Sequence, residues 1–225
     1  MTLSEPARGL LVRFTPAQRW VHRATAGLML TCVATAAILY IPSLSVAVGR
    51  RALVEDVHVY AGIALPLPAL LGLLSRAVRA DYGRLNRFSP DDWRWLRAGD
   101  RRSGRIPVGK FNAGQKLNSA FVAGSIAVML GSGLIMRYAN PWPLAWRSGA
   151  TFVHDWLSTA VFVVLAGHLA FAYRDPEARR GMRTGRVERA WARREHAGWL
   201  AEHDDAPAGR TVGKPGGKPG RTRAP

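Results

Sequence analysis

The chain has 225 residues, a single cysteine and a formal net charge of +17 at pH 7. A single cysteine excludes both an intramolecular disulfide framework and a cysteine-based zinc site. The mean hydropathy of −0.04 conceals a strong segregation, because long apolar runs alternate with strongly basic ones.

Four apolar runs are long enough to cross a membrane. A hydrocarbon core of about 30 Å requires about 20 helical residues. Each run has 18 to 20 residues without Asp, Glu, Lys or Arg, and the four runs are 24–41, 57–75, 117–136 and 156–173. The sequence therefore predicts an all-α integral membrane protein, a four-helix bundle in the cell membrane.

Proline and serine positions predict several helix boundaries. Pro16 suits the first turn of the helix that enters the first span, and Pro42 ends that span. Pro66 and Pro68 are expected to kink the second span, which neighbouring helices tolerate. Ser89, followed by proline and two acids, predicts the N-cap of a short surface helix in the middle connection, lying either on the membrane or in solvent.

Composition divides the chain into three parts. Residues 1–176 form the predicted four-helix transmembrane domain. Residues 177–203 are a basic segment that can form an amphipathic helix. Residues 204–225 are rich in Ala, Pro, Gly, Lys and Arg, a composition that predicts a disordered basic tail.

The positive charge is sorted by segment. Of the 32 Lys and Arg residues, 28 lie in residues 1–23, 76–116 and 174–225, whereas the other two connections carry two each. The positive-inside rule then places both termini and the middle connection in the cytoplasm. This sorting explains most of the basic charge, so we expect membrane lipid and no nucleic acid as a partner; a nucleic-acid or anionic-lipid binder is the alternative.

Four of the six histidines lie in or beside the spans: His22, His58, His154 and His168. Ionisable residues at membrane depth are candidates for function. His154 and His168 are separated by about 21 Å along one helix face. By depth, the four residues form an outer pair, His58 with His154, and an inner pair, His22 with His168.

Two histidines from facing helices are the axial ligands that a six-coordinate haem needs. A zinc or copper site would instead need three or four ligands at one depth. Covalent haem attachment is excluded because no CxxCH motif occurs. The alternative of another class is a haem-free transporter or scaffold, in which the histidines relay protons or join helices by hydrogen bonds.

Several motifs resemble the di-haem cytochrome b (gamma) subunit of membrane-bound formate dehydrogenases, within a superfamily shared with hydrogenase cytochrome b subunits. The resemblance covers about residues 10–195, and the segment from Lys110 to Lys116 is its most specific part. The motifs are Arg13-Phe14, Arg19-Trp20-Val21-His22, Val57-His58-Val59-Tyr60-Ala61-Gly62, Asp91-Asp92-Trp93-Arg94-Trp95-Leu96, Gly109-Lys110-Phe111-Asn112-Ala113-Gly114-Gln115-Lys116, His154-Asp155-Trp156 and Gly167-His168.

The resemblance implies two b haems, the inner one held by His22 and His168 and the outer one by His58 and His154. It also implies a cytoplasmic quinone pocket lined by Asn112, Gly114 and Gln115 together with His168. From the residues alone, Asn112 can equally be the N-cap of the third span.

The implied partners are an iron–sulfur subunit and a catalytic subunit with molybdenum or tungsten. The chain itself would be the electron-transfer and quinone-reducing subunit, not the formate-oxidising one. Electrons would pass from the iron–sulfur partner through two haems to quinone. A cytochrome b subunit of a nickel–iron hydrogenase or of another oxidoreductase is the alternative with the same chemistry.

The predicted topology is open to a labelling test. Because residues 42–53 contain no lysine or cysteine, a single cysteine is introduced there. It is expected to react with a membrane-impermeant thiol reagent only from the outside, because this connection carries only two basic residues. Labelling of residues 42–53 from the cytoplasm would overturn the orientation.

Overall fold

A computed structural model describes residues 9–101 and 104–205. Four helical stretches in this part of the chain are long and apolar enough to span a membrane, as predicted. They are α1 (Pro16–Tyr40), α3 (Arg51–Ala64) with α4 (Leu67–Gly72), α7 (Ala113–Arg137) and α8 (Leu144–Arg174). The shorter elements are β1 (Leu10–Val12), α2 (Pro42–Val48), α5 (Arg76–Leu85), α6 (Pro90–Arg97), α9 (Pro176–Thr184), β2 (Arg186–Glu188), α10 (Arg189–Glu195) and α11 (Ala197–Asp204).

The helix boundaries confirm the predictions made from proline and serine. Thr15 caps α1, and Pro16 occupies its first turn. Ile41 ends α1, and Pro42 opens the short α2. The second span is interrupted at Leu65–Pro66, between α3 and α4. Ser89 caps α6 through a reciprocal capping box with Asp92, so the surface helix of the middle connection is present.

The spanning helices pack in two main pairs. Helix α1 lies along α3 and α4, α7 lies along α8, and α3 also contacts α7. Large apolar side chains such as Leu70, Val163 and Phe171 are exposed on the surface of this bundle. Such a surface is stable in lipid, where apolar side chains need no partner protein, and unfavourable in water.

At one end of the bundle a polar layer collects β1, the described parts of residues 75–112, and residues 175–204. Strand β1 pairs antiparallel with β2, so that Leu11 faces Val187. This small sheet was not predicted from the sequence. Its apolar core contains Leu11, Val187, Trp191, Ala192, Trp199 and Leu200.

Residues 177–203 do not form the single amphipathic helix that the sequence suggested. They form three short helices and a strand. Gly185 ends α9 with a φ of 85°, and a Cβ at this position would lie 2.4 Å from the carbonyl oxygen of Phe14. Glycine is therefore required both for the left-handed turn and for the close approach of the backbone at Phe14. The predicted disordered tail lies outside the described residues, apart from residues 204 and 205.

A buried charge network holds the polar layer together. Lys110 Nζ donates to both carboxylate oxygens of Asp81, at 2.7 and 2.8 Å, and Gln18 donates to the same carboxylate at 2.6 Å. Arg13 Nη2 donates to the Lys110 carbonyl at 2.8 Å and contacts His196 Nε2 at 2.9 Å. Burial lowers the pKa of Arg13 to about 10. Burial also lowers the pKa of Lys110, against the opposing effect of Asp81.

Removal of one member of the buried ion pair is predicted to destabilise the fold. Lys110→Ala leaves the buried Asp81 carboxylate with only the longer contact from Arg84, at 3.4 Å, as an ion pair, and we expect a loss of about 3–5 kcal/mol. Arg105→Ala is the control, because Arg105 and Asp100 form an exposed pair at 2.7 Å whose loss is expected to cost about 0–1 kcal/mol. Thermal unfolding in detergent measures both.

The double variant Lys110→Met/Asp81→Leu is expected to recover most of the lost stability, because it removes both charges together. Equal unfolding midpoints for Lys110→Ala and Arg105→Ala would contradict the structural importance of the buried pair.

Candidate functional site

The inner histidines come together at the end of the bundle that carries the polar layer. His22 lies near the start of α1, and His168 lies near the end of α8. Their ring centres are 6.3 Å apart, with an angle of 47° between the ring planes. Both side chains are exposed in the isolated chain. Neither ring has a hydrogen-bond partner within residues 9–101 and 104–205.

The outer histidines come together at the opposite end. His58 in α3 and His154 in α8 also have ring centres 6.3 Å apart, with an angle of 67° between the planes. A Cβ at Gly133 would lie 3.3 Å from His154 Cε1, so α7 approaches this ring closely at a position without a side chain. The two histidine pairs thus lie at different depths, and the distance between the two ring centres is the same within each pair.

Each outer histidine is bound by a hydroxyl group on a neighbouring helix. Thr35 Oγ1 in α1 lies 2.9 Å from His58 Nδ1. Ser132 Oγ in α7 lies 3.0 Å from His154 Nδ1. Both hydroxyl residues are buried. A ring bound through Nδ1 keeps Nε2 for another ligand.

The histidines form pairs and not larger clusters. Among the described residues, no three His, Cys, Asp or Glu side chains are grouped so that they could hold a metal ion. A histidine pair suits a metal whose other ligands come from a prosthetic group, as in haem. The assignment of these four histidines as haem ligands remains a prediction.

The segment that carries the most specific motif opens α7. Asn112 is the N-cap, and its Oδ1 accepts from the backbone N–H of Gln115 at 2.9 Å, while Gln115 Oε1 accepts from the backbone N–H of Asn112 at 3.0 Å. Gly114 packs against Trp95 of α6, since a Cβ there would lie 3.3 Å from Trp95 Cη2. Capping uses the side-chain oxygens of Asn112 and Gln115 and leaves their NH₂ groups available as donors.

A second ion pair fixes the middle connection beside this segment. Lys116 Nζ donates to Asp92 Oδ2 at 2.7 Å and to the Arg87 carbonyl at 2.9 Å. Burial would raise the pKa of Asp92, but the bonds from Lys116 and Ser89 lower it overall. Helix α6 is therefore held against the start of α7 in a charged, desolvated contact.

Several contributing residues were not singled out from the sequence. Thr35 and Ser132 were missed, although each is a hydroxyl residue inside an apolar span. His196 was assigned to a polar tail, yet it is only 2% exposed and donates from Nδ1 to the Gly109 carbonyl at 2.7 Å. Trp191 and Trp199 are unusual in a basic tail, and their presence in the sequence could have indicated that this segment packs into a core.

Comparison with known proteins identifies the family of this chain. Residues 13–185 match the family model described as prokaryotic cytochrome b561. The match covers well over half of the sequence, and the chain therefore belongs to this family. It is an integral multi-pass protein of the bacterial cell membrane, and its family implies haem b and electron transport.

The chain is also similar to the cytochrome b556(Fdn) subunit of the nitrate-inducible formate dehydrogenase of Escherichia coli K12. The two are 29% identical over 104 residues, which are 45% of this chain and 48% of the relative. The corresponding subunits of Escherichia coli O157:H7 and Shigella flexneri give the same values. The chain thus spans about half the length, 48%, of the curated relatives it matches. These matches confirm the resemblance stated from the motifs.

Proposed function

We propose that this chain is the membrane cytochrome b subunit of a formate dehydrogenase-type complex, and that it holds two b haems and reduces a quinone. His22 and His168 would hold the inner haem, and His58 and His154 the outer one. When bound, the haems supply one-electron transfer between a donor subunit at the outer face and a quinone at the cytoplasmic face.

The separation of the histidine rings is the observation that carries this proposal. Bonds between a metal and a histidine nitrogen are about 2.0–2.1 Å long, so two imidazoles that together hold one iron would have ring centres up to about 6 Å apart. Both pairs have a separation of 6.3 Å. A direct hydrogen bond between two rings would bring them closer than this.

The surroundings of the histidines also fit a haem. His22 and His168 are exposed in the isolated chain, and an uncovered polar ring in a membrane span is unfavourable. A Cβ at Gly62, four residues after His58, or at Gly167, beside His168, would meet nothing within 4 Å. These two positions therefore leave open space one turn from His58 and beside His168 in the chain, which is compatible with a flat prosthetic group.

We propose that the quinone binds at the start of α7. In the proposed topology, with both termini in the cytoplasm, this end of the bundle faces the cytoplasm. Asn112 and Gln115 offer amide N–H groups to a quinone carbonyl, and Gly114 brings the ring of Trp95 close to them. His168, near the end of α8, lies at the same end of the bundle. The role of the protein groups is to bind and orient the quinone where protons arrive from the cytoplasm.

The proposed partners follow from the curated relatives, which are subunits of a formate dehydrogenase. An iron–sulfur subunit would deliver electrons at the outer face, and a subunit with molybdenum or tungsten would oxidise the substrate. This chain would then be the quinone-reducing subunit and not the formate-oxidising one.

The haem assignment is tested by reduced-minus-oxidised absorbance spectra and by extraction of haem from the purified chain. We expect two non-covalent haems per chain. One haem should remain in His22→Ala or His168→Ala, and the other haem in His58→Ala or His154→Ala, because each substitution removes one of the two histidines that would hold one haem.

His203→Ala is the matched control, since His203 is exposed in the polar layer, and this variant should keep both haems. A folded wild-type chain without haem, produced with adequate haem supply, would refute the proposal. A single haem that all four substitutions abolish would also refute the two-site arrangement.

A second prediction separates the two roles of Asn112. Asn112→Asp keeps the capping oxygen and removes the amide donor, whereas Asn112→Ala removes both. We expect Asn112→Ala to lose about 1 kcal/mol of stability, and Asn112→Asp to stay close to the wild type. Both variants should oxidise more slowly when the dithionite-reduced chain is mixed with a soluble quinone.

Ser89→Ala serves as the control, because it removes the equivalent cap of α6 without touching the proposed pocket. If Asn112→Asp reacts with quinone as fast as the wild type, the amide of Asn112 has no part in quinone binding.

A further inference from the structure

The hydroxyl groups beside the outer histidines donate their protons to hydrogen bonds within their own helices. Thr35 Oγ1 lies 2.7 Å from the carbonyl oxygen of Thr31, and Ser132 Oγ lies 2.8 Å from that of Val128. A carbonyl oxygen can only accept, so each hydroxyl donates its single proton to the preceding turn of its own helix. Its lone pairs remain for the histidine.

The hydrogen bonds to the rings therefore run from histidine to hydroxyl. His58 Nδ1–H donates to Thr35 at 2.9 Å, and His154 Nδ1–H donates to Ser132 at 3.0 Å. Both outer rings are thus held as the tautomer that carries its proton on Nδ1 and a free lone pair on Nε2.

A histidine that donates from Nδ1 is a better ligand through Nε2. The bond fixes the orientation of the ring and raises the basicity of the ligating nitrogen. A more basic ligand stabilises ferric iron more than ferrous iron, and the midpoint potential of the haem falls. Hydrogen bonding around the ligands is one of the ways in which a protein sets this potential.

The two histidine pairs differ in this respect. Within the described part of the chain, His22 and His168 have no hydroxyl or carbonyl partner, whereas both outer rings have one. The arrangement on the outer pair also occurs twice, once on α1 and once on α7. An effect that acts through these hydroxyl groups is therefore confined to the outer haem.

We infer that Thr35 and Ser132 are positioning residues of the outer haem site, which aim Nε2 of His58 and His154 at the iron and lower the potential of that haem alone. The inference rests on the two-haem proposal above. A lower potential at the outer site favours electron movement from the outer haem towards the inner one.

Redox titration of the purified chain, followed by absorbance and by electron paramagnetic resonance, tests this inference. Thr35→Val and Ser132→Ala should each raise the midpoint potential of one haem and alter its low-spin signal, and leave the other haem unchanged. The affected haem should be the one that remains in His22→Ala. The double variant should shift further than either single variant.

Conservative variants and matched hydroxyl residues complete the design. Thr35→Ser and Ser132→Thr keep the hydroxyl oxygen that accepts from the histidine, so the outer haem should have its wild-type midpoint potential. Among the described residues, the hydroxyl groups of Thr31 and Ser158 bond only to their own helices, at Gly27 and Asp155. Thr31→Val and Ser158→Ala should therefore leave both midpoint potentials unchanged.

Outcomes for the wild type and for the variants have different meanings. A wild-type chain with fewer than two haems refutes the proposed function. Two haems in the wild type, with unchanged potentials in both Thr35→Val and Ser132→Ala, refute this inference alone. A shift or a loss that affects both haems equally also refutes it, whereas loss of only the outer haem, restored by Thr35→Ser, supports it.

Discussion

The absence of water inside a bilayer is the constraint on which this structure depends. Every polar group in a span must find a partner within the protein or its prosthetic groups. The backbone meets this requirement by forming helices. Thr35 and Ser132 meet it by bonding both to their own helices and to an outer histidine. These bonds use Nδ1 of each outer ring and leave Nε2 outside them.

The polar layer brings distant parts of the chain together at one end of the bundle. Arg19 and Arg23 of α1 donate to the Arg183 carbonyl at the end of α9, at 2.6 and 2.9 Å. The backbone N–H of Arg13 donates to Gly185 at 2.8 Å. These bonds tie the start of α1 to the segment that follows α8. His22 and His168 lie one or two turns inside those helix ends, so the layer holds together the parts of α1 and α8 that carry the inner pair.

Local chemistry made much of the architecture predictable. Proline lacks a backbone N–H and fits the first turn of a helix but not its interior. Pro16, Pro42 and Pro66 therefore marked helix boundaries that the structure confirms. Depth along each span was sufficient to sort the four histidines into two pairs. Asn112 shows the limit of such reasoning, because a helix cap and a ligand-binding amide have the same local sequence. The structure establishes the cap, and the NH₂ group is compatible with the second role.

The sequence by itself determined the four spans, the boundaries at Pro16, Pro42 and Pro66, and the depth of the four histidines in the spans, because hydropathy and helix periodicity act over neighbouring residues. Only the tertiary structure decided which hydroxyl meets which histidine, and that Lys110 neutralises Asp81 beneath a folded C-terminal segment. These contacts join residues far apart in the chain. Their energies come from burial and hydrogen-bond geometry, which exist only once the helices have packed.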